Sequence, residues 1–377
     1  MKIEPFGVEM WMNAWETRCR WNLAETCVQS LTLDQLLQLA GKNDADLAEL
    51  LPLKMTYGAI EGSDALRDAI AGLYAAQTRE NILAAHGTIG ANMLVHKTLV
   101  GPGDHVIAVT PTYQQHVSIP ESLGARVDRL PLRARDGWRP DLDALDALAT
   151  SQTRLIALTN PNNPTGALID ADGLVRLAEI ARRAGAWVLC DEVYRGSDQH
   201  GDGMTASLAD LYERGISTAS MSKVFSLAGL RLGWIAGPQD LLRRISHHRD
   251  YDTISVGRID DHFAALALSA KDRILERTRR ITRGNLALLA DWVAAEPGVD
   301  WVKPRSGTTA LLDYDLPEPS HALCVALLEE TGVLLTPGSA LGMEGSLRIG
   351  YANDPQVLRE GLPRLSDFLR RRRAAGI

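Results

Sequence analysis

The sequence predicts an α/β fold, in which a large domain with a mostly parallel sheet between helices is followed by a smaller α+β domain. Three observations predict it. Short apolar, β-branched runs alternate with helical patterns through the middle of the chain, an amphipathic crossover helix joins two of them, and the texture changes beyond residue 280.

The runs are HVIAVT (105–110), RLIALTN (154–160), AWVLCDE (186–192), ISTASMS (216–222) and LGWIAG (232–237). Between the second and third, DGLVRLAEIARRAGA carries Leu174, Leu177, Ala178 and Ala181 at helical spacing, with Gly185 as the stop. Beyond 280 come a long helical pattern (ITRGNLALLADWVAAE), a strand TALLDYD (309–315), a helix SHALCVALLEETG and a strand SLRIGYA (346–352). Without a low-complexity linker or internal repeat, three parts are expected. Residues 1–43 form an N-terminal segment that joins the small domain or acts as a lid, 44–284 the large domain, and 285–377 the C-terminal small domain. In such a fold, ligands bind at the carboxyl ends of the central strands or between domains.

Composition narrows the function. The 377 residues are 45% hydrophobic and 23% charged, ordinary for a globular chain, and the net charge of −7 disfavours nucleic acid as a partner. Cys19, Cys27, Cys190 and Cys324 lie far apart, with neither metal-type spacing nor a disulfide framework. The N-terminus mixes charges into its apolar residues, unlike a secretory signal, and no apolar run is long enough to span a bilayer. A cytoplasmic protein without membrane contact is expected. The adjacent His247 and His248 do not make a three-ligand metal site, so no metal is expected.

Four signals fall at strand ends. Asp191 and Tyr194 close the strand 186–192, TNPNNPTG (159–166) follows another, HGTIGANML opens a helix after the strand-like NILAAH, and Lys223 sits between Ser220, Ser222 and Arg231. Each has an ordinary structural reading: a turn cap, a strand-ending turn, a glycine turn, a solvated lysine. The small apolar flanks of Lys223 and the cation after it predict a partly buried amine of lowered pKa, hence a nucleophile. Together the four supply what pyridoxal phosphate needs: an amine for its aldehyde, an acid for its ring nitrogen, and hydroxyls, an arginine and a helix N-terminus for its phosphate.

From Tyr57 to Arg348 the sequence resembles the class I/II aminotransferase family of fold-type-I pyridoxal-phosphate enzymes. The resemblance implies a mixed, mostly parallel seven-stranded sheet in the large domain. It makes Lys223 the Schiff-base lysine, with Ser220, Ser222 and Arg231 on the phosphate. Asp191 would hold the pyridinium nitrogen protonated, and Tyr194 and Asn163 would bond the phenolic oxygen. Tyr113, in PTY, would stack on the cofactor face, and Gly90, Ala91 and Asn92 would form the phosphate turn. Tyr57 would reach the phosphate of a neighbouring subunit, implying a homodimer with shared sites. Arg348 would grip the α-carboxylate of an amino-acid substrate through its planar fork.

The N-terminal stretch departs from ordinary aminotransferases. Where many relatives carry a G-x-P loop, this chain has NLAETCVQS (22–30) after the tryptophan-rich EMWMNAWETRCRW. That combination is similar to the arginine-modifying members, the capreomycidine-forming cyclases and oxygen-using arginine oxidases. Glu16 and Glu25 are then candidate partners for the guanidinium group of L-arginine, or equally a helix-surface acid and a loop acid. Some arginine hydroxylases have histidine where Cys27 falls and aspartate at 220, so hydroxylation is less expected than transamination, desaturation or cyclisation. The leading expectation is an aminotransferase, with an arginine oxidase or cyclase second.

Overall fold

In the computed structural model, which describes residues 2–48 and 50–375, the apolar runs form the centre of a seven-stranded sheet. Its spatial order is Ile82–Ala85, Gly233–Ala236, Gly215–Ser220, Trp187–Asp191, Thr153–Thr159, His105–Thr110 and Arg126–Pro131. Gly233–Ala236 is antiparallel to both neighbours and the remaining pairs are parallel. The inner strands are buried along nearly their whole length because helices cover both faces. The edge strand Arg126–Pro131 is exposed at three of its six positions and carries Arg126, Asp128 and Arg129, charges that discourage edge-to-edge pairing.

The crossover helix Ala171–Ala184 starts where the Asp170 carboxylate accepts from the Gly173 N–H at 3.0 Å. It stops at Gly185, whose φ of 70° suits glycine. Leu174, Leu177 and Ala181 turn its apolar face onto Ile156 and Val188 of the sheet.

The smaller domain is a four-stranded antiparallel sheet, ordered Thr336–Pro337, Ser346–Gly350, Thr309–Tyr314 and Val299–Asp300. Helices Ser320–Thr331 and Pro355–Ala375 pack with it. The N-terminal segment joins this domain. Trp21–Asn22 pairs in parallel with Val333–Leu334, Trp11 Nε1 donates to the Leu335 carbonyl at 3.0 Å, and Leu23 and Ala24 lie in the same apolar core as Phe368.

Neither expected boundary coincides with a break in packing. Leu36 already belongs to the large-domain core with Leu66, Ile70 and Phe263, so the changeover in the N-terminal segment precedes residue 43. The division at 284/285 falls inside one continuous helix, Lys271–Ala295. Its Ile274 and Leu275 pack on the large domain, its Leu286 and Leu289 on the small one. A helix that serves two cores keeps its apolar period unbroken, so the sequence carries no mark of the boundary.

Candidate active site

The carboxyl ends of the central strands open into a cavity of about 290 Å³. Asp191 ends its strand with the side chain buried. Its Oδ2 accepts from Asn92 Nδ2 at 2.9 Å and its Oδ1 from the Val193 N–H at 3.1 Å. Asn92 is fixed in turn, because Thr218 Oγ1 donates to its Oδ1 at 2.6 Å. Burial pushes the Asp191 carboxyl up to about 6, against the stabilising pull of these two donors.

At the next strand end, Ser222 lies under Arg231, whose Nη1 donates to Ser222 Oγ at 3.4 Å and to the Ala228 carbonyl at 2.7 Å. Arg231 adopts φ 48°, a left-handed conformation that costs a non-glycine residue roughly 1–3 kcal/mol. Its guanidinium lies against the first turn of helix Gly87–Leu99. A Cβ on Gly87 would sit 2.9 Å from Arg231 Nη2. Thr88 lines the same corner, and its Oγ1 is buried without a partner.

The phosphate turn expected at Gly90, Ala91 and Asn92 is therefore corrected. The Gly90 N–H donates to the His86 carbonyl, Ala91 is fully buried against Leu83 and Ile235, and Asn92 serves Asp191. The helix starts at Gly87, three residues earlier than that placement assumed, so Thr88 and Ile89 face the cavity.

Lys223 is reached by a segment distant in sequence. Its Nζ donates to Thr26 Oγ1 at 2.7 Å and to Cys27 Sγ at 3.4 Å. The expected lowering of its pKa is also corrected. Burial does pull it down, but Cys27, Tyr194 and Glu25 together hold it above its ordinary value. Burial keeps the Cys27 thiol and Tyr194 phenol protonated near neutrality. The charge that favours the ammonium is then Glu25, whose carboxyl sits below its usual range beside Lys223 despite burial. Sequence neighbours alone suggested a cation nearby; the fold supplies an anion.

Opposite, Arg348 is buried with no carboxylate partner among the described residues. Its Nη2 donates to Thr336 Oγ1 at 3.1 Å and its Nη1 to Asn163 Oδ1 at 3.4 Å, while its Nε is unpartnered. A buried guanidinium with spare donors suits an incoming anion. Tyr113 lines the cavity, with its hydroxyl donating to Glu9 Oε1 at 2.8 Å. Glu16 and Glu25 both line the cavity as well. The Glu16 carboxyl is pushed up by burial and then by the charges of Glu25 and Glu9. Tyr57 is not brought in: it is 75% exposed, beside Leu53 and Arg258 on another surface.

The aminotransferase class I and II family model matches residues 34–365. The chain belongs to this family. Capreomycidine synthase from Streptomyces vinaceus is 30% identical over 365 residues, covering 96% of this chain and 93% of that protein. Arginine–pyruvate transaminase from Pseudomonas aeruginosa is 29% identical over 331 residues, 85% of this chain and 84% of the other. The crystal structure of a PLP-dependent aminotransferase from Streptococcus suis 89-1591 superposes with a TM-score of 0.95 at 42% identity, covering 99% of both chains.

This aminotransferase-family enzyme uses pyridoxal phosphate. The residues present fit the cofactor: an amine in the cavity, a buried carboxylate, and an anion seat of Ser220, Ser222, Arg231 and a helix N-terminus. The unpartnered Thr88 hydroxyl and the bare Gly87 leave room in that seat. Sequence reasoning missed Glu9, Thr26, Thr88 and Ile89. The seven-residue spacing of Glu9 and Glu16, with Met12 between them, places all three on one side of the helical stretch and was a legible signal for Glu9. Thr26 had none, since nothing local links it to Lys223.

Proposed function

We propose that this enzyme acts on a cationic L-α-amino acid, L-arginine foremost, and that transamination is its reaction. The observation that carries the reading is the charge layout of one cavity: Arg348 on one side, and Glu9, Glu16 and Glu25 on the N-terminal wall. Arg348 takes the α-carboxylate and the three glutamates take the guanidinium. A dicarboxylic substrate would add a fourth negative charge to a wall where like charges already raise the Glu16 pKa. The arginine-directed names of two relatives support the same choice.

Pyridoxal phosphate supplies an aldehyde that captures amino groups and an aromatic ring that accepts the electron pair of a bond broken at Cα. Lys223 would hold the aldehyde at rest, and its freed Nζ would take the α-proton. Asp191, its carboxylate fixed by Asn92 and the Val193 N–H, would keep a proton on the ring nitrogen. Tyr194 and Asn163 would hold the phenolic oxygen, and Tyr113 would pack on the ring. Ser220, Ser222, Arg231 and the N–H groups of Thr88 and Ile89 would hold the phosphate.

The working unit is a homodimer, in which Tyr57 completes a neighbour's phosphate site. Its exposure beside the exposed Met55 and Ile60 supports that role. A cytoplasmic biosynthetic enzyme is the setting we infer. The second reading is an oxygen-dependent arginine oxidase or an arginine-derived cyclase, favoured by the similarity to capreomycidine synthase over 96% of the chain.

Incubation with L-arginine in air, with and without pyruvate, separates these readings. Alanine formed only when pyruvate is present supports transamination. Oxygen uptake with peroxide release and no need for pyruvate overturns it in favour of the oxidase, and a cyclised product without net loss of the amino group favours the cyclase.

A further inference from the structure

Within hydrogen-bonding distance, Lys223 Nζ finds no partner on its own loop: Thr26 and Cys27 come to it from the N-terminal wall. Thr26 is itself braced. Its carbonyl accepts from Thr308 Oγ1 at 2.7 Å. The segment is pinned on either side, by the Cys27 N–H donating to Glu25 Oε1 at 2.7 Å and by the Val28 N–H donating to the Lys223 carbonyl at 3.4 Å. Both the backbone and the amine of Lys223 are therefore held by residues 26–28.

A neutral primary amine has two N–H bonds and one lone pair. At the end of a four-carbon stem it rotates freely unless both N–H bonds are engaged. The ammonium of the cofactor-free protein spends two of its three N–H bonds on Thr26 Oγ1 and Cys27 Sγ; the neutral amine that takes the α-proton has only two, and keeping both contacts leaves its lone pair one direction. We propose that Thr26, assisted by Cys27, is a positioning residue that orients the Lys223 amine toward the α-hydrogen of the substrate. The inference rests on the reading of Lys223 as the base.

In that step the Cα–H bond breaks, the proton joins Nζ to give an ammonium, and the bond's electron pair passes to the conjugated ring. Thr26 Oγ1 accepts an N–H before and after the transfer, so no hydrogen bond has to be remade. Threonine also suits the place by size: the residue is 9% exposed, and valine preserves its shape without the acceptor.

The test is loss of the α-¹H signal by NMR when the holoenzyme is mixed with the common L-amino acids in D₂O, which does not require the substrate to be known. Lys223→Ala is expected to abolish the loss. Persistence there overturns the reading of Lys223 and this inference with it. Thr26→Val and the smaller Thr26→Ala are expected to slow it about 10- to 100-fold while substrate KM stays within about 3-fold. Thr26→Ser should recover to within about 3-fold of the wild type. A second readout needs no substrate: the pH at which the lysine-linked cofactor changes colour shifts in the Val and Ala variants and returns in Ser. With Lys223 required, unchanged exchange in both Val and Ala, or a Ser variant as slow as Ala, overturns the role of Thr26 alone.

Discussion

The floor of the cavity hangs from five- to seven-residue strands in a seven-stranded sheet, whereas its N-terminal wall is tied to the small domain by a two-residue parallel pairing, Trp21–Asn22 with Val333–Leu334, by the Trp11–Leu335 hydrogen bond and by apolar packing of Leu23 and Ala24. On the floor, Asp191 is held by a buried chain of donors running through Asn92 to Thr218. On the wall, Glu9, Glu16 and Glu25 stand on a short helix, a single 3₁₀ turn and a loop, and their charges crowd one another. The difference divides the labour. Asp191 and Ser220 end strands of the sheet, whereas the three glutamates that we propose select the substrate sit on an element that packs mainly with the small domain.

The comparison can be broken at four points. The largest effect is expected on the floor: Lys223→Ala should remove the yellow lysine-linked cofactor and cut turnover by at least about a thousandfold, read by absorbance and by borohydride labelling. A retained band would displace Lys223 from its role. Arg348→Ala comes next. Loss of a desolvated guanidinium opposite a carboxylate should raise the amino-acid Kd by at least about 30-fold, with the cofactor still bound, and an unchanged Kd would sink the carboxylate assignment.

On the wall, Glu25→Gln or Glu16→Gln should raise KM for L-arginine about 10-fold while leaving neutral amino acids within about 3-fold. Equal losses for both substrate types would mean that the wall positions the site and does not select. The smallest effect concerns Asp191 in cofactor-stripped protein. Its folded pKa of about 6 exceeds the unfolded value, so its contribution to stability is full below about pH 4 and is lost as pH rises through about 6. Asp191→Asn should flatten that slope by a few degrees of Tm, and bound cofactor should do the same by placing a cation opposite the carboxylate.

Much of the floor was legible in the chain. Strand ends fall where β-branched runs meet turn residues, so Asp191, Asn163, Ser220 and Lys223 could be assigned to one edge of a parallel sheet before any coordinates. The edge strand Arg126–Pro131 gave no such signal, because an exposed edge carries charges and loses the apolar run. The helix start was placed three residues late because HGTIGANML has two glycines; the one that opens the helix is Gly87, at φ 65° and close against Arg231 Nη2.

The sequence by itself determined the α/β class, the strand ends and the identity of the cofactor, since these follow from local periodicity and from residue types that one chemistry requires. The tertiary structure alone decided the charge state around Lys223 and the acidic wall. Coulomb and hydrogen-bond energies depend on distance through space, and Thr26, Glu25 and Lys223 become neighbours only when a segment nearly two hundred residues upstream folds over the strand ends.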